Sequence, residues 1–180
     1  MRRLRLLIAC LAAIFAAGEA AAQQDPAEAL AAAMAERLQL MEGVAQYKWN
    51  HEIPIEDLAR EALVLDNVVA AAKTEGVPVE LASDFFQAQI TAAKTIQNRL
   101  FETWRQSGAG NFPEAPDLQT EVRPAISALT GRIIASLARL DDMDAAALCP
   151  ALKEVPAALA DDTEAWRLAV TPLRERLPGC

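Results

Sequence analysis

The sequence predicts an all-α protein, a single-domain bundle of about five to six helices. Alanine and leucine are abundant, and the 180 residues include only 7 glycines. The alternating apolar and polar runs that are typical of half-buried strands are missing. A chain of this length is long enough to bury one core of its own.

The first two helices are predicted from their end signals. Pro26 follows Asp25 and is a good first-turn residue, so helix one is expected from there to about residue 50. The dipeptide Ile53-Pro54 ends it, because the residue before a proline avoids helical dihedral angles. Helix two is expected at about 55–74, ahead of Gly76.

The later helices are delimited mainly by prolines. Pro78 opens helix three, and the Gly- and Pro-rich stretch 107–116 is the clearest loop. Helix four is expected at about 118–140, where Pro124 must either kink it or mark a late start. Pro150 and Pro156 are expected to bracket a break, and a last helix is expected at about 157–177.

Residues 1–22 are predicted to be a signal peptide. Three arginines lie among the first five residues, ahead of an apolar run at 6–17 that is too short to span a bilayer comfortably. Small residues at 18–22 then provide a cleavage site after Ala22. Two alternatives are an uncleaved N-terminal anchor and lipidation at Cys10, although the apolar run continues well past that cysteine.

An acidic balance excludes several classes of partner. The formal net charge is −8, and removal of the leader makes it more negative because three arginines leave with one glutamate. Such a surface repels nucleic acid and anionic membranes, so neither is expected as a partner of the processed chain. No metal site is expected, since His51 is the only histidine and there is no CxxC pair.

The cysteine count favours one disulfide. Cys10 lies in the leader, which leaves Cys149 and Cys180 as an even pair in an exported protein. The alternative is that both remain free thiols.

One face of helix one is apolar except for two cations. Steps of four and three residues give Leu30, Met34, Arg37, Met41, Val44 and Lys48. Burying an unpaired charge is costly. The two cations therefore indicate an anionic ligand held between helices.

Other polar residues extend this set. Gln97 falls on the apolar stripe of helix three, and Asp57, Arg60 and Glu61 lie near the start of helix two. Cations, an amide and carboxylates without a nucleophile suit the binding of a polyanion and the stabilisation of charge on an oxygen. The alternatives are ordinary ones: surface salt bridges, a lysine that reaches solvent, a satisfied core amide and a helix-capping cluster.

These residues stand at the intervals of a known family. Arg37 and Lys48 are 11 residues apart, Lys48 and Asp57 are 9 apart, and Asp57 and Arg60 are 3 apart. The matching runs are Glu36-Arg37-Leu38, Val44-Ala45-Gln46-Tyr47-Lys48-Trp49, Pro54-Ile55-Glu56-Asp57-Leu58-Ala59-Arg60-Glu61 and Phe86-Gln87-Ala88-Gln89-Ile90, followed by Gln97 and Trp104. Over this stretch the chain resembles the all-helical (type II) chorismate mutases, in particular their secreted, monofunctional gamma subclass.

The resemblance implies an isomerase that needs no cofactor and converts chorismate to prephenate by a Claisen rearrangement, a step in phenylalanine and tyrosine biosynthesis. Arg37 would bind a substrate carboxylate. Lys48 would reach a carboxylate and the ether oxygen, and Gln97 would donate a second hydrogen bond to that oxygen. These three residues would be the catalytic ones.

Further positions would complete the substrate site. Glu61 would accept a hydrogen bond from the ring hydroxyl, Arg60 would orient the site, and the Asp57 backbone would lie near the hydroxyl. Arg123 matches an arginine that the secreted subclass supplies from later in the same chain. Ala93 stands where relatives carry a small hydroxyl residue.

The resemblance also implies an organisation for the chain. Residues 23–180 would form the mutase domain, with a catalytic part at about 26–140 and a C-terminal helical part at about 141–180. A periplasmic or secreted homodimer is expected. Two other functions fit the same scaffold: a non-catalytic secreted binding protein and a related lyase that acts on isochorismate.

Overall fold

The computed structural model describes residues 25–180, and within that range it has helices and turns but no strand. The predicted all-α class is confirmed. The helices are α1 Pro26–Gln39, α2 Met41–Asn50, α3 Leu58–Glu75, α4 Val79–Ser107, α5 Arg123–Leu137, α6 Ala145–Lys153 and α7 Thr163–Arg174. A π-helical turn, Leu118–Val122, precedes α5, and 3-10 turns span Leu140–Asp142 and Ala157–Asp162. The predicted leader at 1–22 lies outside the described residues.

The predicted first helix is divided into α1 and α2 at Leu40. This residue keeps right-handed helical dihedral angles, with φ −64° and ψ −12°, so the chain continues in nearly the same direction. The apolar face therefore carries on from one helix to the next. Leu30, Met34, Arg37, Met41 and Val44 are all buried on it, as the spacing predicted.

Helix α3 begins three residues later than predicted, because Asp57 caps it. The Asp57 Oδ1 accepts a hydrogen bond of 3.0 Å from the Arg60 backbone N–H, which fixes Leu58 as the first helical residue. The helix ends as predicted at Gly76, whose φ of +74° lies in the left-handed region that favours glycine.

The 29-residue helix α4 is the central element of the bundle. It packs against α2, α3 and α7, and it buries Phe85, Phe86, Ile90, Ala93 and Gln97 along one side. Because α4 contacts elements from both ends of the described chain, it holds the bundle together around a common core.

The segment between α4 and α5 is fixed by side chains of α2. Asn50 Nδ2 donates to the Phe112 carbonyl at 2.7 Å, and the Phe112 N–H donates back to Asn50 Oδ1 at 2.8 Å. Nearby, the Pro116 ring approaches Gly43 so closely that a Cβ on residue 43 would be 2.7 Å from Pro116 Cγ. The loop is thereby seated against α2.

Pro124 marks a late helix start rather than a kink. The π-helical turn closes with a hydrogen bond from the Arg123 N–H to the Leu118 carbonyl, and α5 starts at Arg123. Pro124 then occupies the first turn, where its missing N–H leaves no helical bond unmade.

The predicted break between Pro150 and Pro156 is confirmed at residues 154–156, although α6 runs through Pro150 itself and ends only at Lys153. Leu148 and Leu152 on either side are almost completely buried, and their burial offsets the hydrogen bond that proline removes. The last helix is also shorter than predicted: residues 157–162 form a 3-10 turn with non-helical dihedral angles at Leu159, and α7 begins at Thr163.

The C-terminal part is closed by the predicted disulfide. Cys149 in α6 is bonded to Cys180, 31 residues later, with the two Cα atoms 5.5 Å apart. In the same part of the chain, Trp166 is buried and its indole N–H donates to the Leu152 carbonyl at 3.2 Å. None of the helices between residues 25 and 180 is long and apolar enough to cross a membrane.

Candidate active site

A cavity of about 130 Å³ lies between α1, α2, α3, α4 and the start of α5. All eight substrate-site residues expected from the sequence line it: Arg37, Lys48, Asp57, Arg60, Glu61, Ala93, Gln97 and Arg123. The remaining wall is mainly apolar and is formed by Met41, Val44, Ile55, Val64, Ile90, Leu118, Val122 and Ile126, together with Lys94. The structure thus brings residues that are far apart in the sequence into one site.

Arg37 is a buried cation without a partner. Its side chain is 4% exposed, and neither Nε nor Nη1 has a hydrogen-bond partner within residues 25–180. The guanidinium carbon lies 5.8 Å from the centre of the Phe86 ring. Burial lowers the pKa of Arg37 to about 10, so it remains charged at neutral pH. An anion in the cavity would supply the partner that these N–H groups lack.

Lys48 is half-buried, and its ammonium group is held at the end of α2. Nζ donates to the Ile55 carbonyl at 2.7 Å. Burial lowers the pKa of Lys48, the carboxylates of Asp57 and Glu61 oppose that shift, and Arg123 adds to it. The ammonium group therefore lies within electrostatic reach of both acidic and basic residues of the cavity.

Gln97 is a buried amide that is only partly satisfied. It is 4% exposed, and its Nε2 donates to the Ala93 carbonyl at 3.1 Å. The other contact of Nε2 is Met41 Sδ at 3.8 Å, and sulfur is a weak acceptor. Gln97 Oε1 is buried with no partner among the described residues, which argues against a fully satisfied core amide.

The first turn of α3 contributes three residues. Asp57 caps the helix, as the alternative interpretation of a helix-capping cluster expected. The three residues are nevertheless not only a cap, because Asp57, Arg60 and Glu61 all line the cavity. Lys94 of α4 donates to Glu61 Oε2 at 3.0 Å. Sequence reasoning missed Lys94, because its pairing with Glu61 arises only where α3 and α4 come together.

Arg123 reaches the cavity from within the same chain. It is half-buried at the start of α5, in right-handed helical conformation with φ −63° and ψ −40° despite the following proline. Asp117 fixes the preceding turn by accepting hydrogen bonds from the N–H groups of Gln119 and Thr120, both at 2.8 Å.

The cavity is cationic although the protein is acidic. Five cationic side chains, Arg37, Lys48, Arg60, Lys94 and Arg123, line it with two carboxylates, Asp57 and Glu61. Within residues 25–180, no three His, Cys, Asp or Glu side chains converge to hold a metal ion. The arrangement can bind a small dianion and donate hydrogen bonds to an oxygen that becomes more negative.

The chain matches the family model described as chorismate mutase type II over residues 28–98. It is 37% identical over 110 residues to the monofunctional chorismate mutase of Enterobacter agglomerans, covering 61% of this chain and 60% of that protein. It is 32% identical over 105 residues to the secreted chorismate mutase of Mycobacterium tuberculosis, covering 58% of this chain and 52% of that protein. The alignments thus span roughly half to three-fifths of these curated relatives.

A solved structure extends the similarity over most of the fold. The chorismate mutase from Burkholderia thailandensis superposes with a TM-score of 0.72 at 35% identity, covering 82% of this chain and 98% of that one. Together with the matched family model and the 35% identity, this similarity is decisive: the chain belongs to the chorismate mutase type II family.

Proposed function

We propose that this protein is a chorismate mutase, which rearranges chorismate to prephenate. The observation that carries the proposal is Arg37, a charged and almost fully buried guanidinium without a partner in the described chain. A folded protein tolerates such a group where a bound anion completes it. Chorismate, a dicarboxylate with a ring hydroxyl and an ether oxygen, has the groups that the cavity can bind.

The reaction is an intramolecular rearrangement. The ether C–O bond breaks while a C–C bond forms between the enolpyruvyl carbon and the ring, and no atom or proton leaves the substrate. A protein can accelerate such a step by holding the substrate in its reactive conformation and by stabilising charge that grows on the ether oxygen. The cavity offers donors and cations but no nucleophile, which is consistent with this chemistry.

Two side chains are assigned to the ether oxygen. The Lys48 ammonium group has hydrogen-bonding capacity beyond its contact with Ile55. The second amide hydrogen of Gln97 is directed, within residues 25–180, at the weak acceptor Met41 Sδ. When substrate binds, its ether oxygen would replace the sulfur as the acceptor of this amide hydrogen. Because that oxygen gains negative charge as the bond breaks, the hydrogen bond would become stronger in the transition state. Arg37 and Arg123 are assigned to the two carboxylates.

The remaining polar residues are assigned to the ring hydroxyl and its surroundings. Glu61 would accept the hydroxyl hydrogen bond, with the Asp57 backbone nearby, and Arg60 would keep the local field positive. The Ala93 position offers a methyl group and a backbone carbonyl, but that carbonyl already accepts from Gln97. We therefore assign it to shape rather than to hydrogen bonding.

The test is a turnover assay on purified, oxidised protein. Chorismate should disappear and prephenate should appear in equal amounts. The same assay is run on the Arg37→Met variant, which lacks the unpaired cation and should lose most of the turnover. Release of pyruvate and salicylate from isochorismate would instead identify a lyase. Binding of chorismate without turnover would identify a non-catalytic binding protein.

Export and assembly are further parts of the proposal. A relative named a secreted chorismate mutase supports export, and the leader pattern at residues 1–22 agrees with it. We expect cleavage after Ala22 and a periplasmic or secreted homodimer. Intact-mass analysis of exported protein tests the first point and light scattering tests the second. Retention of the leader, or a monomeric mass, would contradict the corresponding part.

A further inference from the structure

Lys94 forms an ion-pair bridge at the rim of the cavity. Its Nζ lies 3.0 Å from Glu61 Oε2 and 3.7 Å from Glu56 Oε1. The side chains of Lys94 and Glu61 are 26% and 18% exposed, whereas that of Glu56 is 68% exposed. The contact with Glu61 is thus a partly buried hydrogen-bonded pair, and the contact with Glu56 is a looser one at the surface.

The ion pair between Lys94 and Glu61 connects two neighbouring helices, α4 and α3. Lys94 belongs to α4, between Ala93 and Gln97 of the cavity wall, and Glu61 belongs to the first turn of α3. A free glutamate side chain samples several rotamers, and ordering it opposes binding. An ammonium group from the facing helix keeps the Glu61 carboxylate in one place before any ligand arrives.

The two oxygens of Glu61 are not equivalent in this arrangement. Oε2 accepts from Lys94, whereas Oε1 has no hydrogen-bond partner within the described part of the chain. An ionised carboxylate can only accept hydrogen bonds. Oε1 therefore keeps its full capacity to accept an O–H group, and Glu61 is one of the residues that line the cavity.

We propose that Lys94 is a positioning residue, which holds the Glu61 carboxylate so that Oε1 accepts the hydrogen bond of a substrate hydroxyl. This inference rests on the proposed function, in which Glu61 binds the ring hydroxyl. If Lys94 has this role, the Lys94–Glu61 pair contributes to substrate specificity. A substrate that lacks the ring hydroxyl would leave the Glu61 Oε1 atom without a hydrogen-bond partner.

A direct role of Lys94 in binding the substrate anions is less consistent with its surroundings. Two carboxylates already lie within 4 Å of its Nζ, so its charge is largely compensated. Arg37, in contrast, has no carboxylate partner within residues 25–180. Lys94 therefore acts through Glu61, and the two roles are separable by experiment.

The first experiment compares three lysine variants for kcat/KM with chorismate. Lys94→Met keeps the length of the apolar stem and removes the charge, and it should lower kcat/KM about tenfold. Lys94→Arg keeps a donor for Glu61 and should recover most of that loss. Lys73→Met, at an exposed lysine in the last turn of α3, should match the wild type. Circular dichroism checks that each variant is folded, and Lys94→Ala replaces Lys94→Met if the latter is not.

The second experiment repeats Lys94→Met in a Glu61→Gln background. If Lys94 acts through Glu61, the substitution should cause little further loss there, because the carboxylate it positions is gone. An equal loss in both backgrounds would overturn the proposal in favour of direct substrate contact. Unchanged kcat/KM in Lys94→Met would overturn the positioning role alone. A wild-type protein without turnover would instead overturn the proposed function, and the assignment of Lys94 with it.

Discussion

Replacing Arg37 with methionine should make the protein more stable and much less active. In the free protein, the guanidinium is buried without a partner, so its charge opposes folding. Methionine fills a similar volume without a charge. We therefore expect Arg37→Met to raise the melting temperature and to lower kcat/KM by at least a hundredfold.

The size of the stabilisation follows from the pKa. Burial lowers the pKa of Arg37 from its ordinary value to about 10. The folded protein holds this proton less tightly than the unfolded chain, so below pH 10 the charged form is destabilising, by about 3 kcal/mol. Loss of the contact with the Phe86 ring offsets about 1 kcal/mol of that gain. A net gain of about 2 kcal/mol corresponds to a rise of about 4–8 °C in a protein of this size.

The assay is thermal unfolding followed by circular dichroism, with turnover measured on the same preparations. Arg132→Met is the matched control, because Arg132 pairs with Glu36 at the surface and such pairs contribute at most about 1 kcal/mol. It should leave turnover unchanged. A lower melting temperature for Arg37→Met would show that the guanidinium is paired in the free protein, and the electrostatic reasoning would then be refuted.

Other predictions address the reaction and the C-terminal part. In the Gln97→Glu variant, only the protonated carboxyl group can donate a hydrogen bond to the ether oxygen. We therefore expect kcat/KM to fall about a hundredfold at neutral pH and to recover in acid, and a pH profile identical to that of the wild type would contradict this. Because burial lowers the pKa of Lys48, wild-type kcat/KM should decline at a lower alkaline pH than an ordinary lysine would give, which a pH–rate profile measures. Mixed assemblies of Arg123→Ala and Arg37→Ala chains should stay inactive, whereas recovery towards half of wild-type turnover would show that the site is shared between subunits. Reduction of the disulfide should lower the free energy of unfolding by about 3 kcal/mol in denaturant titrations, and an unchanged midpoint would contradict this.

The cavity face could be predicted because helical periodicity converts directly into geometry. Arg37 and Lys48 stand on one apolar stripe of period 3.6 and Gln97 stands on another, so spacing alone places each of them on the apolar face of its helix. The division at Leu40 could not be predicted, since that residue keeps helical dihedral angles and carries no breaking signal.

Two other features depend on contacts between distant parts of the chain. Pro150 opposes a helix by about 3 kcal/mol in isolation, and only the burial of Leu148 and Leu152 shows why α6 persists through it. Lys94 is an unremarkable lysine until α3 places Glu61 next to it, 33 residues away in the sequence. Local patterns contain no information about such pairings.

The close approach of Pro116 to Gly43 has a consequence for protein engineering. Exchanging a helix glycine for alanine ordinarily gains about 1 kcal/mol, and design methods favour it. At position 43 the new methyl group would be 2.7 Å from a rigid proline ring, so the segment that leads to Arg123 would have to move away from α2. A programme that ranks variants by heat resistance could therefore accept a change that displaces an arginine of the cavity, and position 43 should be excluded from it.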